Sequence, residues 1–349
     1  MLATRRHHVI LVLQPTTFST SRIACCHVPT SIHALLDEFR QRDRPEAASL
    51  LISFFGDAVL PRGGRIWLGS LIRLLAPLDI NERLIRTTVF RLGKSGWLQS
   101  QPTGRRTDYG LTPHSTRRVT RAARQIYAAQ PPDWDRRWRF IMVLGELSAK
   151  EREAVRQSLY WLGFGTVHDV LFVHPDCELD AAIDALLADQ LEALVPQLKP
   201  FTAAGTPIGG TASDSDLVHK AWDLDTLARQ YEDFSARYKP VLDCLRDPAA
   251  QPDPATAFML RLLLIHEYRR LMLRDPDLPA QLLPANWPGQ AARMLCKEIY
   301  RRLLAPSEQH LDELFQLADG TTPPILPGAL AARFRDPDPL ATYGLAASP

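Results

Sequence analysis

The stretch NERLIRTTVFRLGKSGWLQSQPTGRRTDYGLT, residues 81–112, has far more basic than acidic side chains. Residues 81–128 contain ten basic and two acidic side chains, a local net charge of +8. The whole chain has a formal net charge of +2, so the remaining residues carry −6. A basic segment in an acidic remainder predicts that one part of the protein binds a polyanion, most commonly nucleic acid. The alternative is a charged helix face that contacts only solvent.

A helix is predicted to begin at Asn81, a good N-cap residue, and to run to about Ser95, before Gly96. At 100° per residue its side chains separate into two faces. The packing face comprises Leu84, Ile85, Thr88, Val89 and Leu92. The opposite face comprises Arg83, Arg86, Thr87, Phe90 and Lys94, with Arg91 at its margin. One face is therefore predicted to be buried and the other to be free to bind.

Two further helices are predicted upstream of this one. Residues 49–55 form the first, and Ser70 is expected to cap a second over residues 71–76, which Pro77 helps to end. A short turn over residues 78–80 then leads to the basic helix. Two helices joined by a short turn, with a third before them, indicate a helix-turn-helix.

The residues after the basic helix predict a β-hairpin. WLQSQ and RTDYGLT are two strand-like runs separated by Pro102, Thr103 and Gly104, which places Arg105 and Arg106 at the tip. A helix-turn-helix followed by such a hairpin is a winged helix. We expect the helix to enter the major groove and the hairpin to contact phosphates or the adjacent minor groove. The expected DNA-binding residues are Arg83, Arg86, Thr87, Phe90, Arg91, Lys94, Arg105 and Arg106.

Two features of this region leave alternatives open. Phe90 lies near the middle of the polar face, where it either meets a thymine methyl group or packs under the hairpin or another domain. After the hairpin, HSTRRVTRAARQIYAA is predicted to form a connecting helix with Arg117, Arg121 and Arg124 along one side. Those arginines fit an exposed interdomain helix better than direct DNA contact. The predicted DNA-binding domain spans residues 45–128.

A second domain is predicted over residues 134–210, after Pro131 and Pro132. DRRWRFIMVLGEL and TVHDVLFVHP are each predicted to be a strand, with a helix between them that Ser148 and Glu151 cap as a capping box. A further helix and the extended PFTAAGTPIGG follow. This order indicates a ferredoxin-like βαββαβ domain in a multidomain α+β protein.

The rest of the chain is predicted to be mostly helical. Helical patterns dominate residues 213–320, and the tail over residues 321–349 is rich in proline and glycine, which favours irregular structure. The apolar run VILVL at residues 9–13 is too short for a signal peptide or a membrane span. Five scattered cysteines without a C-x-x-C motif are typical of reduced thiols. We therefore expect a cytoplasmic protein with no membrane segment.

Three parts of the sequence carry a resemblance to a known family. They are SFFGDAVLPRGGRIWLGSLIRLLAPLDINERLIRTTVFRLGKSGWL, then GRRTDYGLT, then LLLIHEYRRLMLRDPDLPAQLLPANWPGQAARMLCKEIYRRL. Together they resemble the PaaX family, the negative regulators of phenylacetic acid degradation operons, over roughly residues 45–305. Residues 1–44 precede the resemblance as an extension that is unusually long for the family, and we expect it to be disordered.

The resemblance implies a homodimeric repressor that binds a palindromic operator in double-stranded DNA and leaves it when phenylacetyl-coenzyme A binds. It also implies a middle domain similar to the Cas2 fold, a family-specific C-terminal domain and no cofactor. We place the aryl-coenzyme A site in the C-terminal half, because a thioester of this kind needs cations for its phosphates and an aromatic slot for its ring. The candidate residues are Arg261, His266, Tyr268, Arg269, Arg270 and Trp287. The alternative is a core histidine with arginines paired to nearby acids.

Two enzymatic functions are weighed against the repressor. Cas2-type domains can be metal-dependent nucleases with an aspartate at the end of the first strand, but RWRFIMVLGEL offers only Glu146 there, and one carboxylate makes a poor magnesium site. An acyl-coenzyme A hydrolase would need an activated nucleophile, and the sequence has no G-x-S-x-G motif. We therefore predict a regulator and not an enzyme.

Overall fold

A computed structural model describes residues 30–41, 47–205, 208 and 211–335. Most of the predicted N-terminal extension and the end of the predicted tail lie outside the described residues. Within the extension, helix α1 (Thr30–Arg40) is formed. Its apolar side chains Ile32, Leu36 and Phe39 are buried in the main core of the protein, so this part of the extension is packed and ordered.

After α1, the described chain folds into three α-helices and a small sheet before the connecting helix. The elements are α2 (Ala47–Phe54), a π-helical turn (Phe55–Val59), a 3₁₀ turn (Leu60–Arg62), β1 (Arg65–Trp67), α3 (Leu68–Leu75), α4 (Glu82–Lys94), β2 (Leu98–Thr103), β3 (Arg106–Leu111) and α5 (Pro113–Tyr127). The strands form an antiparallel sheet in the order β1-β3-β2. The helix predicted from Asn81 and the hairpin after it are confirmed as elements.

Ser70 does not cap the helix before α4, contrary to the sequence prediction. Helix α3 begins two residues earlier, at Leu68, and Ser70 is buried inside it. The Ser70 hydroxyl donates to the carbonyl of Leu314 and accepts from the amide of Gln316 at 3.0 Å. Because both partners are more than two hundred residues away, nothing local in the sequence distinguishes this serine from a capping serine.

The central part of the chain has the βαββαβ order that the sequence predicts. Its elements are β4 (Arg137–Val143), α6 (Ala149–Tyr160), β5 (Gly165–Val167), β6 (Leu171–His174), α7 (Leu179–Ala188) and β7 (Leu198–Ala204). The strands pair antiparallel in the order β5-β6-β4-β7, the ferredoxin-like arrangement. The capping box of Ser148 and Glu151 at the start of α6 is confirmed.

The run TVHDVLFVHP forms two strands, β5 and β6, where the sequence analysis predicts one. The chain reverses between Val167 and Leu171, with positive φ at His168 and Asp169. Histidine and aspartate tolerate this left-handed conformation better than most residues, so the turn forms without glycine or proline. The usual sequence signals for a hairpin are therefore missing here.

The last part of the chain is helical, followed by a segment without regular structure. Its helices are α8 (Asp214–Ala221), α9 (Leu224–Leu245), α10 (Pro254–Met272) and α11 (Pro288–Leu314). Residues 315–335, which we call the strap, contain only turns and extended chain. Among the described residues, the helices are all too short or too polar to cross a membrane.

One hydrophobic core joins the two ends of the chain. It includes residues of α1, of α2 to α5, of α9 to α11, and Phe315 and Phe334 of the strap. The central sheet has separate clusters, one of them formed by Ile141, Phe172 and neighbouring side chains against α6 and α7. The first and last parts of the chain therefore share a core, although the central domain lies between them in sequence.

A buried carboxylate, that of Asp57 in the π-helical turn, lies within this shared core. It pairs with Arg261 of α10 at 2.8 Å and with Arg333 of the strap at 2.6 Å. The hydroxyl groups of Tyr127 and Tyr300 donate to the same carboxylate at 2.6 and 3.1 Å. Burial alone would raise the pKa of Asp57, but the attraction of the two guanidinium groups outweighs it and lowers the pKa. The carboxylate is therefore charged and connects four parts of the chain.

Replacing Asp57 with Asn should strongly destabilise the fold, because two buried guanidinium groups lose their common anion. We expect the free energy of unfolding to fall by about 3–5 kcal/mol, measured by urea denaturation. The control is Asp312→Asn, which removes an ion-pair partner of Arg62 that is more than half exposed; this change should cost less than about 1 kcal/mol. Equal stability of the two variants would contradict the role given to Asp57.

Candidate nucleic-acid interface

Helix α4 is held by its cap and by one apolar face. The side-chain oxygen of Asn81 accepts a hydrogen bond from the amide of Leu84 at 2.8 Å, which satisfies one of the free amides of the first turn. The residues buried beneath the helix are Ile85, Thr88, Val89 and Leu92. These are four of the five residues that the sequence analysis places on the packing face, and Leu84 is half-buried. The rotation of the helix therefore follows the prediction.

The opposite face of α4 is exposed along its whole length. The exposed residues there are Arg83, Arg86, Thr87, Phe90, Arg91 and Lys94. The Phe90 side chain is 65% exposed, so it does not pack under the hairpin, and the ammonium group of Lys94 lies 5.7 Å from the centre of its ring. Of the two alternatives for Phe90, the structure therefore favours the one in which the exposed ring is available to a partner.

Arg86 is the member of this face with an acidic partner on the same helix. Its guanidinium contacts the Glu82 carboxylate one turn earlier, at 2.6 and 2.7 Å, and both side chains are more than half exposed. An exposed pair at this spacing contributes little to stability. Binding of Arg86 to a phosphate would therefore exchange one weakly held anion for another.

The hairpin turn is tighter than the sequence analysis predicts. Thr103 pairs with Arg106, so the turn contains only Gly104, which has positive φ, and Arg105. Arg105 is thus at the tip, while Arg106 is the first residue of β3 and its guanidinium lies 4.3 Å from the ring centre of Trp67. The stacking holds Arg106 over β1 and leaves Arg105 as the arginine that projects from the hairpin end.

The hairpin sheet is joined to the strap through the middle of β3 and through β1. The buried carboxylate of Asp108 accepts from the amide of Ala318 at 2.7 Å, and the amide of Trp67 donates to the carbonyl of Gln316 at 3.0 Å. Sequence reasoning did not identify Asp108, although it is one of two acidic residues in a strongly basic segment. Its placement explains that exception, because its role is to bind a backbone amide of the strap.

Three of the six residues predicted to bind an aryl-coenzyme A are in the core. The side chains of Arg261, His266 and Tyr268 are at most 2% exposed. Arg261 pairs with Asp57 and with Glu308, and His266 Nδ1 lies 3.2 Å from the hydroxyl of Ser53. Each of the three would have to leave the core before it could contact a ligand.

The other three predicted ligand residues are half-buried. Arg269 Nη1 lies 3.4 Å from the hydroxyl of Ser49, and burial lowers the pKa of Arg269 to about 10. The Trp287 ring packs edge-on against Tyr231 with a centroid distance of 5.9 Å. Arg270 is half-buried on α10. These residues belong to the packing between α9, α10, α11 and α2 more than to an open site.

Comparison with known proteins identifies the family. Three family models match, described as a PaaX-like protein over residues 46–115, a PaaX protein central Cas2-like domain over residues 131–211, and a PaaX-like protein C-terminal domain over residues 222–313. The transcriptional repressor PaaX of Escherichia coli is 38% identical over 283 residues, which cover 81% of this chain and 87% of that protein. The chain belongs to the PaaX family.

The Cas2-like nature of the central domain is confirmed by the PaaX model that matches it. A solved structure similar to this PaaX-family chain is that of an uncharacterized protein from Mycobacterium tuberculosis, with 23% sequence identity and a TM-score of 0.43. The match covers 68% of this chain and 90% of that one.

Glu146, the carboxylate considered for a nuclease, is exposed after β4. Within the described part of the PaaX-family chain, His, Cys, Asp and Glu side chains do not form a group of three or more that could hold a metal ion.

The Asn81 cap generates a stability prediction for α4. Asn81→Ala removes the acceptor for the Leu84 amide and should lower the free energy of unfolding by about 1 kcal/mol. Asn81→Ser keeps a capping oxygen and should leave stability within a few tenths of a kcal/mol of the wild type. The two variants should be compared by urea denaturation. If alanine and serine give the same stability, the cap does not hold the start of α4.

Proposed function

We propose that this PaaX-family chain is a transcriptional repressor that binds operator DNA through a winged helix formed by α2 to α4 and the β1-β3-β2 sheet. The observation that carries the proposal is the exposed cationic face of α4 beside a hairpin whose tip is Arg105. Three observations support it: the order of the helices and strands, the local net charge of +8, and a relative that is a transcriptional repressor. The proposed activity is regulatory and non-enzymatic.

In this proposal α4 is the recognition helix and lies in the major groove. Arg83, Arg86 and Lys94 can each donate to guanine or to a phosphate, Thr87 can bind a base edge or the backbone, and the exposed Phe90 ring can contact a thymine methyl group. Arg105 contacts phosphates or the adjacent minor groove. Arg106 supports the hairpin through its stacking on Trp67 and adds positive charge near the tip.

We further propose that the protein acts as a cytoplasmic homodimer on a palindromic site. One short helix contacts only a few base pairs, and two recognition helices related by a two-fold axis would reach successive major grooves about 34 Å apart. The phosphate contacts of arginine and lysine supply most of the affinity and make it dependent on salt. The homodimer is part of the family resemblance and supplies the specificity that one winged helix lacks.

The proposed effector is phenylacetyl-coenzyme A, and the proposed target is a phenylacetate catabolic operon. An effector releases a repressor only if it binds the DNA-incompetent conformation more tightly than the competent one. The core shared by the winged helix, α9 to α11 and the strap supports such a linkage, because these elements pack in one continuous cluster. Free coenzyme A and free phenylacetate are the control compounds.

The proposed function is tested by fluorescence anisotropy of a labelled promoter fragment from a phenylacetate-type catabolic operon. The protein should bind this fragment at least a thousandfold more tightly than random DNA of equal length at the same salt concentration. Equal affinity for both DNAs would contradict the repressor function.

The two parts of the winged helix should differ in how they affect specificity. Arg86→Ala should weaken operator binding by about 1–3 kcal/mol and affect random DNA little, if Arg86 contacts a base. Arg105→Ala should weaken binding to both DNAs alike and flatten the salt dependence. Arg152→Ala, on the exposed side of α6, is the matched control and should change neither. An equal loss for both DNAs in Arg86→Ala would exclude its role in base recognition.

The effector is tested by the same anisotropy titration with phenylacetyl-coenzyme A added. Phenylacetyl-coenzyme A should lower operator affinity at least tenfold, whereas coenzyme A or phenylacetate alone at equal concentration should leave it within twofold. If the thioester leaves operator affinity unchanged, phenylacetyl-coenzyme A is not the effector, and the proposed DNA-binding function still stands.

A further inference from the structure

A cavity of about 400 Å³ lies between the hairpin sheet, helix α5, the π-helical turn and the strap. We call it the junction cavity. Its lining comes from four separate parts of the chain, including Gly56, Gly110, Thr116, Thr120, Leu326 and Arg333. A volume of this size is within the range of small-molecule sites. The cavity is outside the region from which the sequence analysis takes its ligand residues.

Glycines form much of one wall of the junction cavity. A Cβ on Gly110 would lie 2.7 Å from the carbonyl oxygen of Gly64, and a Cβ on Gly56 would lie 2.9 Å from the Val119 side chain. Gly64 itself has φ +78°, which disfavours a side chain. The Gly110 and Gly64 backbones therefore approach each other closely, and the Gly56 backbone packs directly against Val119, so neither Gly56 nor Gly110 can be replaced by a larger residue without a shift in this wall.

The cavity has an apolar wall and a polar edge. Leu60, Leu111 and Leu326 supply aliphatic surface, and Leu326 is 41% exposed, so the cavity reaches solvent beside it. Thr116 and Thr120 line the cavity from successive turns of α5, and each carries a hydroxyl group. This composition suits a molecule with an aromatic or branched aliphatic body and a polar head.

Arg333 is a preorganised cation at the edge of the cavity. Its guanidinium pairs with Asp57 at 2.6 Å, contacts the hydroxyl of Tyr300 at 2.6 Å and lies 4.1 Å from the ring centre of Tyr127. A side chain held on three sides loses little further freedom when it contacts a ligand. Its charge is partly balanced by Asp57, so the site favours an uncharged carbonyl or a single carboxylate over a phosphate group.

We propose that the junction cavity binds a small molecule, or the acyl end of a larger one, that combines a ring-sized apolar body with a carbonyl or carboxylate head. A bound molecule in the junction cavity moves the hairpin relative to α4. It rests on the proposed function, because DNA binding is the readout of that movement. The cavity is large enough for a phenylacetyl-sized acyl group, and the partly exposed side at Leu326 is where a longer carrier would leave it.

The position of the cavity explains how a ligand there would act on DNA binding. Gln99 of β2 and Gly110 and Leu111 of β3 line it, so a molecule in the cavity lies against the strands that carry Arg105. On the other side, the strap is fixed to the shared core through Arg333 and Phe334. A ligand wedged between the two would press on the strands of the hairpin, which are held by β2 against α4 and by Asp108 to the strap, whereas α4 is also held by its packing on α2.

The test is a cavity-filling substitution with a matched control on the same helix. Thr116→Phe puts a ring into the junction cavity, and His114→Phe puts the same ring on the exposed side of α5. Isothermal titration calorimetry with phenylacetyl-coenzyme A and with phenylacetate measures binding to each variant. We expect Thr116→Phe to bind the thioester at least tenfold more weakly than the wild type, and His114→Phe to bind it within twofold.

DNA binding without added ligand separates this inference from the proposed function. Thr116→Phe should bind the promoter fragment within about threefold of the wild type and should no longer be released by the thioester. Wild-type protein that does not prefer the promoter fragment to random DNA would contradict the proposed function alone. Wild-type calorimetry without binding of either compound, or unchanged thioester binding in Thr116→Phe, would overturn the cavity inference.

A second variant covers the case in which Thr116→Phe does not fold. Thr120→Val keeps the shape of the side chain and removes its hydroxyl, so it should weaken binding of the thioester by about threefold to tenfold. Its melting temperature should be compared with that of the wild type by circular dichroism. Unchanged thioester affinity in a folded Thr120→Val protein would contradict a polar head at this edge of the cavity.

Discussion

The buried carboxylate of Asp57 is the interaction on which the arrangement of the protein depends. It receives Arg261 from α10, Arg333 from the strap, and the hydroxyl groups of Tyr127 and Tyr300. A charge in this position is stable only while its partners stay in place. The π-helical turn that carries Asp57 therefore ties the first part of the chain, which contains α4 and the hairpin, to the C-terminal helices.

This connection gives the fold a route for regulation. A further buried guanidinium, that of Arg62, follows the same turn and pairs with Glu308 and Asp312 of α11. The strap then returns from α11 to the middle of β3 through Asp108 and Ala318. The junction cavity is lined by the strap, by α5 and by the strands of the hairpin. Such a site is well placed to convert the binding of a small molecule into a movement of the hairpin tip.

Local patterns account for the parts of the structure that the sequence predicts. The period of 3.6 residues and the Asn81 cap suffice for α4, and the box of Ser148 and Glu151 suffices for the start of α6. The tertiary roles of Asp57 and Ser70 depend on partners 70 or more residues away, so no local pattern reports them. The predicted ligand residues of α10 show the same limit. The sequence pattern of a helix does not distinguish an arginine in a buried ion pair from an arginine in a binding site.

Helix α4 and the tip of the hairpin are the surface that we propose binds DNA. The most direct test is hydrogen–deuterium exchange of the full chain with and without promoter DNA, followed by mass spectrometry of its peptides. We expect DNA to slow exchange in peptides from residues 81–95 and 98–111, and to leave exchange in the central sheet, residues 137–204, unchanged. Protection of the central sheet, with residues 81–111 unaffected, would contradict the account and move the nucleic-acid interface to the Cas2-like domain.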